Sequence, residues 1–164
     1  MMAAIARRIV AGVLILAWGL GLPGAARAAD GLVHAANFQA DARTAAKRRV
    51  PILVVFTTPH CPYCERVKHD YLIPMHKDPA YRNRVIIREV TIGASDPLTG
   101  FDGASTTEGA FAAAHKVFMV PTIQVFDGQG NNVGDAIVGL LNPDYYFGYL
   151  EGAIDAGVNK VRGK

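Results

Sequence analysis

The sequence contains only two cysteines, Cys61 and Cys64, among its 164 residues. With no further cysteine, the chain has no framework of structural disulfides and no second cysteine pair for a zinc site. A disulfide between these two residues would close too short a loop to restrain the unfolded chain strongly. The spacing therefore indicates a pair placed for reactivity rather than for stability.

The chain also has little excess charge once its first 28 residues are set aside. Its formal net charge is +3, but that segment holds three arginines and no acidic residue, which leaves 14 basic and 14 acidic residues. The remainder shows no stripe of basic residues interleaved with aromatic ones, so it offers no electrostatic basis for binding nucleic acid or an anionic membrane surface. We expect neither as a partner.

The first 28 residues have the pattern of a secretory signal peptide. Arg7 and Arg8 precede an apolar run over residues 9–22, and the small residues of a cleavage site stand at 26–28. The run is shorter than the roughly 20 apolar residues that a membrane span needs. We predict removal of residues 1–28, export across an inner membrane to the periplasm, and a single domain over residues 29–164.

Helix and strand patterns alternate along the predicted domain. The order is α-β-α-β-α-β-β-α, which predicts an α/β fold with a central mixed sheet and helices on both faces. Pro74 is expected to end or kink the second helix. The segment 93–103 shows no periodicity and is predicted to be a loop. The predicted strands cover residues 52–56, 84–92, 122–126 and 136–138, and the predicted helices begin near Asn37, Pro62, a capping box at 105–108, and Asn142.

The position of the cysteines favours thiol chemistry. Cys61 stands at the start of a predicted helix, whose free N–H groups and positive dipole end stabilise a thiolate and lower the thiol pKa from about 8.5. Cys64 lies one turn into the helix, where burial keeps it protonated longer. We predict that Cys61 is the attacking thiol and that Cys64 resolves the mixed disulfide.

Four motifs in this order resemble the thioredoxin superfamily. They are the strand Ile52–Phe56, the Cys-x-x-Cys at a helix start, Val120-Pro121-Thr122 before a strand, and Val138-Gly139 before a final helix. The resemblance covers nearly all of the predicted domain and implies a thioredoxin fold with thiol-disulfide oxidoreductase activity on protein disulfides.

Within that superfamily, the chain most resembles bacterial periplasmic thioredoxin-related proteins. These include proteins found with sulfur-oxidation systems and proteins that receive electrons from a transmembrane thiol carrier of the DsbD or CcdA kind. The resemblance implies such a carrier as the electron donor. The neutral surface and single domain predict a monomer.

The residues around the nucleophile are candidates for tuning its reactivity. His60 precedes Cys61 and would lower the pKa of the thiol if it were charged or donated a hydrogen bond; an exposed loop histidine without a role is the alternative. Pro62 and Tyr63 form the dipeptide found in glutaredoxins, and residues at these positions tune reduction potential across the superfamily. This dipeptide resembles reducing members, so we predict a reductase, with a disulfide-forming oxidase as the alternative.

Two further positions follow from the resemblance. Pro121 matches the cis-proline that adjoins the cysteines in this superfamily, and Val120 would offer its backbone to a substrate peptide as an added strand. Val55 aligns with the buried aspartate of thioredoxins, so the usual proton acceptor for Cys64 is missing. Glu89 on the next strand is the predicted replacement, and a solvated strand-end carboxylate is the alternative.

The sequence also weighs against several other functions. A metal site would need His69 or His76 in addition to the cysteines, and their spacing does not fit one. Covalent haem requires a histidine after Cys64, where Glu65 stands. We predict no metal and no other cofactor. A glutaredoxin using glutathione fits the cysteine motif but fits the C-terminal helix less well, and a redox-inactive assembly module would not need both cysteines.

Overall fold

The computed structural model describes residues 31–164. The predicted signal peptide, residues 1–28, lies outside the described residues. The helices are α1 (Phe38–Arg48), α2 (Pro62–Val67), α3 (Ile73–Lys77), α4 (Pro79–Arg82), α5 (Glu108–Ala114) and α6 (Pro143–Arg162). The strands are β1 (Ile52–Thr57), β2 (Ile86–Thr91), β3 (Pro97–Thr99), β4 (Ser105–Thr107), β5 (Thr122–Phe126) and β6 (Ile137–Val138). No helix within residues 31–164 has the length and apolar content needed to cross a membrane.

A four-stranded mixed sheet forms the centre of the fold, in the order β2-β1-β5-β6. Strand β1 is parallel to β2 and antiparallel to β5, and every one of its residues is buried. A continuous run of branched apolar side chains suits this central position because both faces of the strand are covered. The fold class predicted from the sequence, a mixed sheet flanked by helices, is confirmed.

Alternate side chains of β1 enter two separate cores. Leu53 and Val55 pack with residues of α2, α3 and α6, including the fully buried Tyr146. Val54 and Phe56 pack on the opposite face with residues of α1 and α5. The period of two along the strand therefore fixes which helices lie on each face of the sheet.

The prediction of a loop over residues 93–103 is wrong for its central part, which forms strand β3. Strand β3 pairs antiparallel with β4, with Leu98 opposite Thr106, and forms a second, two-stranded sheet. Strands of three residues are too short to show a period of two, which explains why the sequence pattern did not reveal them. Leu98 is buried, and Phe101 stacks on Phe38 with ring centroids 4.8 Å apart.

The helix that starts at Pro62 continues past the expected break at Pro74. A π-helical turn over Lys68–Leu72 follows α2 directly, and the N–H of Ile73 donates to the carbonyl of Lys68. Pro74 is the second residue of α3, immediately after this widened turn. The local widening accommodates a proline, which cannot supply the N–H of a regular α-helical ladder.

Candidate redox site

The cysteine pair lies at the carboxyl end of β1 and is closed as a disulfide. Cys61 is the N-cap residue of α2 and Pro62 is its first residue, a position where the missing N–H of proline has no cost. The Cα atoms of Cys61 and Cys64 are 5.2 Å apart. The turn between strand and helix therefore places both sulfur atoms at one edge of the sheet.

The two sulfurs differ in their surroundings. Cys61 is partly exposed, whereas Cys64 is fully buried. The Sγ of Cys61 accepts a hydrogen bond from the N–H of Cys64 at 3.1 Å. A partner molecule can therefore reach the Sγ of Cys61 first. This sulfur already accepts from one of the N–H groups at the helix N-terminus, which have no acceptor within the helix.

The neighbouring residues predicted to tune the site lie at the surface. Tyr63 is 60% exposed. His60 is exposed and has a left-handed backbone with φ of +60°, which is unusual for a residue other than glycine. Among residues 31–164, the His60 side chain has no hydrogen bond or ion pair, so its imidazole faces solvent beside the cysteines.

Val120 and Pro121 lie at the same sheet edge as the cysteines, because β5 runs antiparallel to β1 and begins at Thr122. The Val120–Pro121 peptide bond is cis. The carbonyl of Pro121 accepts from the N–H of Gly139 at 2.7 Å. Within the described part of the chain, the N–H and carbonyl of Val120 have no hydrogen-bond partner.

Glu89 lies on β2, an outer strand of the sheet, beside Val55 of β1. It is 5% exposed, which rules out the alternative of a solvated carboxylate. Its Oε1 accepts from the Thr57 hydroxyl at 2.8 Å and from Lys68 Nζ at 3.1 Å. Lys68 follows Cys64 by one helical turn, because its N–H donates to the Cys64 carbonyl. Glu89 is thus joined to the helix that carries the cysteines.

Lys68 is shared between two carboxylates. Its Nζ lies 2.9 Å from Glu65 and 3.1 Å from Glu89. Burial acts to lower the pKa of Lys68, but the hydrogen bonds and charges of the two glutamates outweigh it and raise the pKa above the usual value. Pairing with Lys68 likewise lowers the pKa of Glu65. Lys68 therefore stays protonated beside both carboxylates.

Two further residues near Glu89, Glu108 and His34, were not identified as site residues from the sequence. The sequence predicts Glu108 as part of a capping box over residues 105–108, but Thr107 caps α5. The Glu108 carboxylate is buried and accepts from the N–H of Thr91 at 2.6 Å. His34 lies between the two glutamates, with Nδ1 3.4 Å from Glu108 Oε1 and Nε2 3.8 Å from Glu89 Oε2. A lone histidine before the first helix carries no sequence signal for this contact. Within residues 31–164, no group of three or more His, Cys, Asp or Glu side chains is arranged to hold a metal.

Comparison with known proteins extends these observations. A family model described as a thioredoxin-like domain matches residues 38–154. A thioredoxin-fold protein from Helicobacter pylori is 20% identical, with a TM-score of 0.53, covering 70% of this chain and 73% of that one. The periplasmic thioredoxin SoxS from Paracoccus pantotrophus is 17% identical, with a TM-score of 0.45 and coverage of 65% and 97%. Thioredoxin from Trichomonas vaginalis is 19% identical, with a TM-score of 0.48 and coverage of 77% and 97%. No curated protein matches the chain.

Proposed function

This chain belongs to the thioredoxin-like domain family and is a thiol-disulfide oxidoreductase, and we propose that it reduces disulfides of partner proteins in the periplasm. The observation that carries the proposal is the asymmetry of the pair. A partly exposed Cys61 at a helix N-terminus is joined to a fully buried Cys64. Such a pair can form a bond to a partner at one sulfur and be released by the other.

The proposed reaction has two exchange steps. The Cys61 thiolate of the reduced pair attacks a sulfur of the partner disulfide, and the other partner sulfur leaves as a thiolate. The Cys64 thiol then loses its proton and attacks the Sγ of Cys61, which releases the second partner sulfur and closes the Cys61–Cys64 disulfide. Two electrons pass to the partner, and a membrane dithiol carrier is the proposed class of donor that restores the reduced pair.

The free backbone at Val120 is the proposed docking point for the partner. An extended segment that carries the partner cysteine can pair, strand to strand, with the Val120 N–H and carbonyl just before the start of β5. Pro121, whose own carbonyl is held by Gly139, fixes the turn that presents this backbone. His60, Pro62 and Tyr63 line the exposed approach to Cys61 in this proposal.

Glu89 is the proposed acceptor for the proton that Cys64 loses in the second step. Glu89 supplies the carboxylate that Val55 lacks, because Glu89 of β2 is the direct pairing neighbour of Val55 of β1. Its carboxylate is held by Thr57 and Lys68, so it stays oriented without solvent. A carboxylate can accept a thiol proton as a general base, and Lys68 links Glu89 to the helical turn that carries Cys64.

Replacing Glu89 by glutamine is expected to slow release of the mixed disulfide by about 10²-fold, because the amide keeps the shape but cannot accept the proton. The rate of mixed-disulfide decay after rapid mixing with insulin measures this step. The matched control is Glu65→Gln, which removes the other carboxylate from Lys68 but is half-exposed. Equal rates for Glu89→Gln and the unmodified protein would exclude Glu89 as the acceptor.

The direction of electron flow is tested by the reduction potential of the Cys61–Cys64 couple. We expect a value near that of thioredoxin, about −270 mV, from titration against a dithiothreitol or glutathione buffer. This expectation rests on the Pro62-Tyr63 dipeptide, which resembles that of reducing proteins. A value near that of DsbA, about −120 mV, would instead make the protein a disulfide-forming oxidase.

Localisation and domain organisation complete the proposal. The signal-peptide pattern of residues 1–28 supports export and a periplasmic mature domain over residues 29–164. An oxidising compartment gives a dithiol reductase a supply of disulfides to act on. Export and cleavage are checked by fractionating cells and determining the N-terminus of the mature protein.

A further inference from the structure

Two buried carboxylates on different elements lie close to one exposed histidine. Glu89 lies on β2 and is 5% exposed, Glu108 lies on α5 and is 2% exposed, and the His34 side chain between them is 58% exposed. The two exchange steps proposed above use only Glu89. We propose that His34 carries protons between Glu89 and solvent and that Glu108 orients its imidazole, an inference that rests on the proposed function.

Glu89 has no other suitable route to solvent among its polar neighbours in residues 31–164. Thr57, which donates to it, is itself buried. Lys68 is charged, is shared with Glu65, and has a raised pKa, so it does not readily release a proton. His34 is the remaining contact, and imidazole is the side chain suited to taking up and releasing protons near neutral pH.

The backbone around His34 is held in place. The N–H of Ala35 donates to the Glu89 carbonyl at 2.8 Å, and the N–H of Glu89 donates to the Val33 carbonyl at 3.0 Å. Residues 33–35 therefore run along the free edge of β2 as a short parallel extension, with His34 directly opposite Glu89. The histidine is a fixed neighbour of the carboxylate rather than a passing contact.

Glu108 selects which imidazole nitrogen serves Glu89. The Thr91 N–H anchors the Glu108 carboxylate, which faces His34 Nδ1 at 3.4 Å. When Nδ1–H donates to Glu108, Nε2 is left free to accept a proton and faces Glu89 at 3.8 Å. One bridging water or a small ring movement closes that distance. Glu108 is therefore a positioning residue.

The proton balance of the cycle is closed. The Cys64 thiol gives its proton to the Glu89 carboxylate as its sulfur attacks Cys61. Glu89 passes that proton to His34 Nε2, and the imidazolium releases it to bulk water, where the departing partner thiolate is protonated. Glu89 returns to its ionised form, in which Lys68 compensates its charge.

Replacing His34 by alanine is expected to slow decay of the mixed disulfide with insulin at least about tenfold. The loss is smaller than the 10²–10⁴-fold typical of a general base because water reaches this half-exposed site. Free imidazole in the buffer is expected to restore most of the rate to His34→Ala, since it can occupy the space that the side chain leaves. The matched control is His69→Ala, an exposed histidine that pairs with Glu65 at 3.4 Å, which should neither slow the step nor respond to imidazole.

Each outcome decides the inference. A slow His34→Ala that imidazole rescues supports the relay. A His34→Ala as fast as the unmodified protein overturns it, and so does a slow variant that imidazole does not rescue, since that indicates a structural effect. If the unmodified protein does not reduce insulin at all, the proposed function fails instead.

Discussion

Replacing Cys61 by serine is expected to reduce the rate of insulin reduction to that of the reductant alone. A hydroxyl cannot exchange with a disulfide, and Cys64 is fully buried and cannot take over the attack. The measurement is the rate of insulin precipitation with dithiothreitol as the reductant. Arg66→Ala, a change at a half-exposed residue of α2 that pairs with Asp70 at 3.8 Å, is the control and should retain activity.

Cys64→Ser is expected to lose turnover in a different way. Cys61 can still attack, but no thiol resolves the intermediate, so a mixed disulfide with the partner accumulates. Non-reducing electrophoresis or mass spectrometry detects this species, which should disappear on adding dithiothreitol. If Cys61→Ser trapped the partner and Cys64→Ser did not, the assigned roles would be reversed.

Much of the fold was predictable because its main elements carry strong local signals. The apolar run of β1 predicted a central strand, and β1 is buried throughout between β2 and β5. Asn37 predicted the start of α1, and its side chain accepts from the N–H of Ala40 at 2.8 Å. Asn142 predicted the start of α6 in the same way and accepts from Asp144. Caps and continuous apolar runs are local features, so the sequence alone reveals them.

The parts that the sequence did not predict depend on contacts between distant residues. The β3–β4 hairpin has three residues in each strand, and its packing relies on Phe101 meeting Phe38. Glu108 matched a local capping pattern, yet its carboxylate contacts Thr91 and His34, which are 17 and 74 residues away. A one-dimensional pattern carries no information about such partners.

The candidate site was predictable for similar reasons. The cysteine pair and the proline before β5 are local motifs, and the chain places both at one edge of the sheet. For Glu89 the sequence left a buried acceptor and a solvated carboxylate as alternatives, because its burial depends on contacts with Thr57 and Lys68 of other elements. His34 was missed because only strand pairing along the edge of β2 brings it to Glu89.

Replacing Phe38 by alanine is expected to have the largest effect on stability, lowering the free energy of unfolding by about 3–5 kcal/mol. Phe38 is fully buried, and its ring stacks on Phe101 at 4.8 Å and on Phe111 at 4.6 Å. It therefore joins α1 to the β3–β4 hairpin and to α5, and the cavity left by its removal would loosen these contacts together. Guanidinium unfolding followed by circular dichroism measures the loss.

The matched control for this prediction is Phe147→Ala, because Phe147 is 46% exposed on α6 and its ring meets that of Tyr81 edge-on at a centroid distance of 6.3 Å. It should change the free energy of unfolding by less than about 1 kcal/mol. An equal loss for both variants would contradict the argument that the Phe38 stack holds this face together. Since α5 also carries Glu108, a loosened α5 should slow mixed-disulfide decay in Phe38→Ala even under conditions in which that variant stays folded.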